Sequence, residues 1–356
     1  MERSDILSPR IKSMRKFDVH YAWIYLTERC NLNCEYCYFQ HRQGRDASPE
    51  AVQRFFQLLD KERAVPSTLI VSGGEVFLAQ DMLWNVLEKA RRHVPNTRLH
   101  VQTNGTLIDA GSVERLRRLA VSLEFGIDGG CEQTIRRRRG MTPEIFQRLT
   151  ANIRMCVESG IPCSCTMAVH PEDIKYMSES IDFLCQLGLS RVDVTPAAFM
   201  PWTRESIRHF KKTYLSLVRQ TRFRNVFYMR DDADWIAPGT MDLSLHPPGY
   251  LLAGDPFLCL AEKQRAEFSL WDAAGGFVKP EILSFYQDAY YHMYNEKDRV
   301  PYRAYVCRSF DVVNMMMGQE YLNNREMNLM MRFLTRVHTA LNFRTPGEGN
   351  EVRVAG

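Results

Sequence analysis

The sequence has little of what would place it in several broad classes. No apolar run is long: uncharged stretches such as Ser159–Pro171 stop short of the ~18 residues that a membrane-spanning helix needs. The first sixteen residues carry charges, yet no apolar stretch of ~7–15 residues follows them. No secretory signal is visible, and a cytoplasmic location is expected. Neither sign of charge dominates. Lys and Arg number 46 against 42 Asp and Glu, and the net charge of +4 is too small to imply nucleic acid, although it permits an acidic partner. Low-complexity segments are absent, as is any repeat beyond the alternation described below, which excludes collagen-like and coiled-coil architectures.

What is present is a chain of 356 residues, 45% apolar and 25% charged. At ~150 residues per domain this suffices for two domains, or for one barrel-sized domain with an extension. Strand-like segments at His20–Leu26, Thr68–Ser72, Arg98–Gln102, Val121–Ile127, Pro162–Val169 and Arg191–Thr195 each precede a helix-like one. Ser48-Pro49-Glu50 reads as a helix start, with an N-cap, a proline in the first turn and an early acid. Val52, Phe55, Phe56 and Leu59 follow it at helical spacing. Six such units predict an α/β fold, a partial (β/α)6 TIM-like barrel over residues 18–235. An N-terminal extension (1–17) precedes it. A smaller α+β C-terminal domain (236–343) and a frayed tail (344–356) follow. The Pro- and Gly-containing pairs between Ile236 and Tyr250 read as a loop at that boundary. In folds of this kind the chemistry sits in loops at the C-terminal ends of the strands.

Ten cysteines without a secretory signal suggest a reducing compartment, with thiols serving as ligands or catalysts. Directly after the first strand, Cys30, Cys34 and Cys37 form a C-x3-C-x2-C pattern. Three thiolates in one loop can hold three irons of a 4Fe–4S cluster and leave the fourth iron open to a small chelator. Spacing alone also admits a closed Cys3His zinc site with His41, in a non-enzymatic zinc-binding protein, or a trio of unliganded thiols. After the second strand comes Ser72-Gly73-Gly74-Glu75. Glycines allow close backbone approach to a ligand, and a carboxylate can pair with an ammonium group. The third strand ends in Thr103-Asn104-Gly105. The fourth ends in Gly126-Ile127-Asp128-Gly129, with Arg136 to Arg139 shortly after. By itself Asp128 reads equally as a cap or turn residue, and the arginine run as a solvated face.

With Tyr36 as its aromatic, the cysteine loop resembles the C-x3-C-x-aromatic-C signature of the radical S-adenosylmethionine (SAM) superfamily. Gly73-Gly74-Glu75 is similar to that family's Gly-Gly-Glu motif, with Val76 in place of the usual proline. The resemblance spans about residues 18–230. It implies one 4Fe–4S cluster on Cys30, Cys34 and Cys37, SAM as co-substrate, and a 5′-deoxyadenosyl radical that abstracts a hydrogen atom. For the SAM pocket it implies Tyr36, Gly73, Gly74 and Glu75 (amino group), Thr103 and Asn104 (ribose side), Asp128, and Arg139 (carboxylate). Thr166 and Val194 would line ribose and adenine. Many relatives carry Ser-x-Asp-Gly where this chain has Gly126, so a hydroxyl is lost.

The flavour of the core resembles the branch with SPASM or twitch C-terminal domains, which includes sulfatase-maturating and peptide-modifying enzymes. Those domains hold further clusters through dense cysteines. Here Cys259 precedes a possible hairpin at Glu267–Lys279, Lys279-Pro280-Glu281 stands where a second cysteine is expected, and only Cys307 follows. The domain reads as degenerate, without an auxiliary cluster, which favours redox-neutral outcomes. Cys259 becomes a candidate catalytic hydrogen-atom donor. Met327, Met330, Met331 and Leu334 read as a packing stripe on a late helix. The substrate is expected to be a peptide or a small polar metabolite such as a sugar or nucleoside intermediate. The 19 residues before His20 leave no room for a leader-binding domain, which weighs against a peptide. The arginine run keeps an RNA-modifying enzyme as a further alternative. A flavodoxin or ferredoxin is the expected electron donor, and no membrane partner is expected.

Overall fold

The computed structural model describes residues 18–220, except 38–43, 45, 63–64, 67, 198–199 and 201, together with 235–236, 240–245 and 300–301. In chain order come β1 (Asp18–Thr27), the short β2 (Asn33–Cys34), α1 (Pro49–Glu62), β3 (Thr68–Gly73), α2 (Gln80–His93), β4 (Arg98–Thr103) and α3 (Ala110–Arg118). Then follow β5 (Val121–Gly126), α4 (Cys131–Arg137), β6 (Arg138–Arg139), α5 (Pro143–Glu158), β7 (Cys163–Val169), α6 (Met177–Gln186), β8 (Arg191–Pro196) and α7 (Arg204–Arg219). Beyond them lie β9 (Trp235–Ile236), β10 (Thr240–Leu245) and β11 (Val300–Pro301).

The main sheet runs β10-β1-β3-β4-β5-β7-β8, with every pairing parallel. All six strands expected from the sequence are present, each followed by helix, so the barrel-like α/β wind holds. A seventh strand, β10, pairs with β1 in a stretch read from the sequence as loop. Thr240-Met241-Asp242-Leu243-Ser244-Leu245 alternates polar and apolar residues, a strand signal obscured by the Pro-Gly pairs on either side.

Each strand buries one face against the helices. In β5 and β7 the burial alternates residue by residue, with Leu123, Phe125, Cys163, Cys165 and Met167 inside the core. Local signals start the helices where tertiary packing needs them. Thr142 caps α5 by accepting from the Ile145 N–H, with Pro143 in the first turn, and Thr203 and Ser206 form a capping box on α7. The turn after α3 is less ordinary: Ala120 has φ 49°, and Arg91 donates to the carbonyls of Leu119 and Ala120.

Cys156, Cys163 and Cys165 are buried packing thiols, whereas Cys131 is exposed at the start of α4. Among the described residues no helix is long and apolar enough to cross a membrane. His41, Cys259, Cys307, the possible hairpin at 267–279, the methionine stripe and the tail all lie outside the described residues.

Candidate active site at the C-terminal ends of the strands

The loop after β1 crosses directly over the end of β3. The Gly74 N–H donates to the Thr27 carbonyl at 2.7 Å, and the Glu75 N–H to that of Arg29 at 2.8 Å. This crossing explains both glycines. A Cβ on Gly73, whose φ is +144°, would lie 2.5 Å from the Thr27 oxygen; one on Gly74 would lie 2.2 Å from the Arg29 oxygen. The close approach they permit is backbone on backbone, which seats the cysteine loop.

Glu75 is fully buried. Its Oε1 accepts from the Phe77 N–H at 3.1 Å and the Thr103 hydroxyl at 2.7 Å, and its Oε2 from the Asn104 N–H at 2.7 Å. Burial raises its pKa, and these three donors pull the other way without cancelling the rise. An open carboxylate awaiting an ammonium group is not what the fold presents here. The side chain clamps the end of β4 to the loop after β3.

Thr103 and Asn104 are likewise turned inward. Asn104 donates through Nδ2 to Asn31 Oδ1 at 2.8 Å and to Cys30 Sγ at 3.7 Å, while the Leu32 N–H reaches the same sulfur at 3.4 Å. Cys30, Cys34 and Cys37 are all half-buried and unbridged.

The arginine run is not one solvated face. Arg136 pairs with Glu132 and with Asp173 at 3.1 Å. Arg137 pairs with Asp173 at 3.0 Å, Glu172 at 2.7 Å and Glu35 at 3.5 Å. Arg138 is buried and forks onto Asp128 with Nε at 2.8 Å and Nη2 at 2.9 Å. Arg139, the position the resemblance assigns to the SAM carboxylate, has a 70% exposed side chain and only a 3.8 Å contact with Glu35. Three of the four guanidinium groups are thus committed internally, so the run itself is not an open basic face.

Arg138 and Cys34 are cross-strand partners in the two-residue β2–β6 ladder. The guanidinium also stands over the Tyr36 ring, 5.7 Å from its centroid, and the Tyr36 hydroxyl bonds to Asp128. Burial pushes the Cys34 thiol up to about 11 against the opposing pull of Arg138, and burial likewise raises Tyr36.

Two features were missed in the sequence. His170, just past the end of β7, is buried with no hydrogen-bond partner on either ring nitrogen among the described residues, 4.0 Å from Glu35. Along the inner face of the sheet runs a polar ladder: Ser72 to Gln102 (2.7 Å), Gln102 to Glu124 (3.1 Å) and Thr166 to Glu124 (2.8 Å). Burial pushes the Glu124 carboxyl up, but the hydrogen bond and charge of His100 outweigh it and hold the carboxyl below its ordinary range. The alternation in His100-Val101-Gln102 and Ser122-Leu123-Glu124 was the available signal. Thr166 belongs to this ladder. Val194 does not. It is buried in the core with Met167, and Asp193, which pairs with Thr166, takes the inner face instead. A one-residue shift in a strand exchanges its two faces.

The donor set fits an iron–sulfur cluster. Among the described residues no three His, Cys, Asp or Glu side chains converge as they would on a single ion. Three half-buried thiols spread along one loop, with an amide and a guanidinium beside them, suit a group in which each thiolate holds its own iron.

Comparison with known proteins agrees. Residues 24–184 match the radical SAM superfamily. Over 171 residues the chain is 26% identical to the Fe-coproporphyrin III synthase of Methanosarcina barkeri, covering 47% of this chain and 41% of that protein. Over 183 residues it is 26% identical to the PqqA peptide cyclase of Gluconobacter oxydans, covering 50% and 49%. The chain spans about half the length of the curated relatives it matches. Streptococcus suis SuiB shares the fold, with a TM-score of 0.52 at 14% identity over 84% of this chain and 72% of SuiB. Over residues 24–184 the chain is thus similar to the radical SAM superfamily.

Proposed function

We propose that the chain is a radical SAM enzyme that modifies a peptide. The observation that carries this reading is the loop at the end of β1, where Cys30, Cys34 and Cys37 stand unbridged and half-buried above a parallel sheet. These three thiolates would hold three irons of one 4Fe–4S cluster. When bound, the cluster and SAM supply a 5′-deoxyadenosyl radical that takes a hydrogen atom from an unreactive carbon. The chain's own residues position and shelter these groups. Asn104 and the Leu32 N–H donate to Cys30, Glu75 fixes the strand ends around the site, and the exposed Arg139 offers a bidentate partner for the SAM carboxylate. The polar inner face, with Glu124 and Thr166 hydrogen-bonded to each other, suits hydroxyl groups such as those of a ribose.

A peptide substrate is supported by relatives of that kind: PqqA peptide cyclase, the subtilosin biosynthesis protein AlbA of Bacillus subtilis, and SuiB, which has been solved with its precursor peptide SuiA. Fe-coproporphyrin III synthase favours a second reading, a small-molecule substrate. A flavodoxin or ferredoxin would deliver the electron. Cys259 is carried forward as the candidate hydrogen donor on sequence alone. Anaerobic reconstitution followed by iron and sulfide analysis tests the class, with about four irons and four sulfides per chain expected. Stoichiometric zinc without sulfide would contradict it. Incubation with candidate precursor peptides and with tetrapyrroles, read by mass spectrometry, separates the two substrate readings.

A further inference from the structure

We propose that Arg138 is a positioning residue for the cluster: a buried cation that pins the loop bearing Cys34 and Tyr36 to the barrel and raises the cluster's affinity for an electron. This rests on the cluster assignment above.

The β2–β6 ladder is two residues on each side, too short to hold the cysteine loop unaided. The Arg138 side chain supplies the missing connection. Its fork closes on Asp128 just past the end of β5, its plane covers the Tyr36 ring, and its backbone pairs with Cys34. Asp128 in turn accepts from the Ala168 N–H of β7 at 3.1 Å and bonds to the Tyr36 hydroxyl. One guanidinium therefore ties two barrel strands to the middle of the cysteine loop.

Gly126 makes this possible. A Cβ there would lie 2.8 Å from Nη1 of Arg138, so a serine cannot stand beside the guanidinium in its present position. Gly126 and the buried guanidinium of Arg138 therefore share one space.

Charge gives the second half of the inference. Arg138 and Asp128 together are neutral, but Arg138 is the direct cross-strand partner of Cys34, whereas Asp128 meets the loop at the Tyr36 hydroxyl. Reduction adds one negative charge to a cluster held partly by that thiolate. A fixed cation in a low-dielectric pocket favours the more negative state.

The test is a potentiometric EPR titration of the reconstituted full chain, with iron content measured alongside. In it one electron passes from dithionite to the cluster, and no bond forms or breaks. Arg138→Gln is expected to weaken electron affinity about tenfold, which is roughly 59 mV toward more negative potential. Arg138→Lys keeps the charge and loses the fork, so it should stay near the wild-type potential while retaining less iron. A wild-type potential in the Gln variant, or equal shifts in Gln and Lys, would overturn the proposal. Should the Gln variant fail to fold, Gly126→Ser decides: displacing the guanidinium must shift the potential the same way, and an unmoved potential with full iron refutes the idea. A wild-type chain that takes up no cluster contradicts the cluster reading itself and carries this inference down with it. Wild-type cluster with unmoved variants defeats this inference alone.

Discussion

The Thr103 hydroxyl donates to Oε1 of Glu75 across 2.7 Å, so the motif expected to meet a ligand is first of all a joint between two strand ends. The Asn104 and Phe77 N–H groups complete the joint, and Asn104 extends it to Cys30. Clamp, glycine crossing and cysteine loop are thus one piece of construction.

Glu75→Ala should destabilise the cluster-free chain. Three buried donors lose a common acceptor, and even after water or neighbours compensate, a loss of about 3 kcal/mol is expected. Chemical denaturation of the cluster-free chain measures it. Wild-type stability together with weakened SAM binding would return Glu75 to the role of a direct ligand.

His170 should make stability fall on the acid side. Burial lowers its pKa below the ordinary 6.5, as does Arg137, while Asp173, Glu172 and Glu35 push the other way. The folded-state pKa is depressed, so the neutral ring's contribution is complete above pH 6.5 and is lost as pH falls through the lower folded value. His170→Gln should flatten the stability difference between pH 7.5 and pH 5 measured by denaturant titration. An equally steep acid loss in the variant would show that other groups drive it.

The strands and most helices were legible in the sequence because their signals are local. Apolar runs, N-caps such as Thr142 and Thr203, and prolines at first turns need no tertiary context. The cysteine loop was legible through spacing. What stayed hidden depends on parity and on partners. Val194 and Asp193 differ by one residue and face opposite sides of β8, and nothing local decides which faces inward. Nor could four consecutive arginines reveal that Arg138 alone is buried on Asp128 while Arg139 stays open. The seventh strand was hidden by its flanking Pro-Gly pairs.

Ala120→Gly should stabilise the fold. Ala120 sits in the left-handed region at φ 49°, just past the C-cap of α3, where glycine carries no Cβ penalty. A gain of about 0.5–1 kcal/mol is expected after the greater freedom of glycine in the unfolded chain is counted. A shift of the denaturation midpoint to higher denaturant checks it, and a shift to lower denaturant would mean that alanine is at ease there.

The most direct test of the central claim is anaerobic incubation of the reconstituted chain with SAM and dithionite, followed by chromatographic detection of 5′-deoxyadenosine. The wild-type chain should release it, and Cys30→Ala, Cys34→Ala and Cys37→Ala should each abolish both iron binding and release. Release that survives loss of any one of these cysteines, or a wild-type chain with about four irons and no SAM cleavage, would contradict the assignment of this loop as a radical SAM centre.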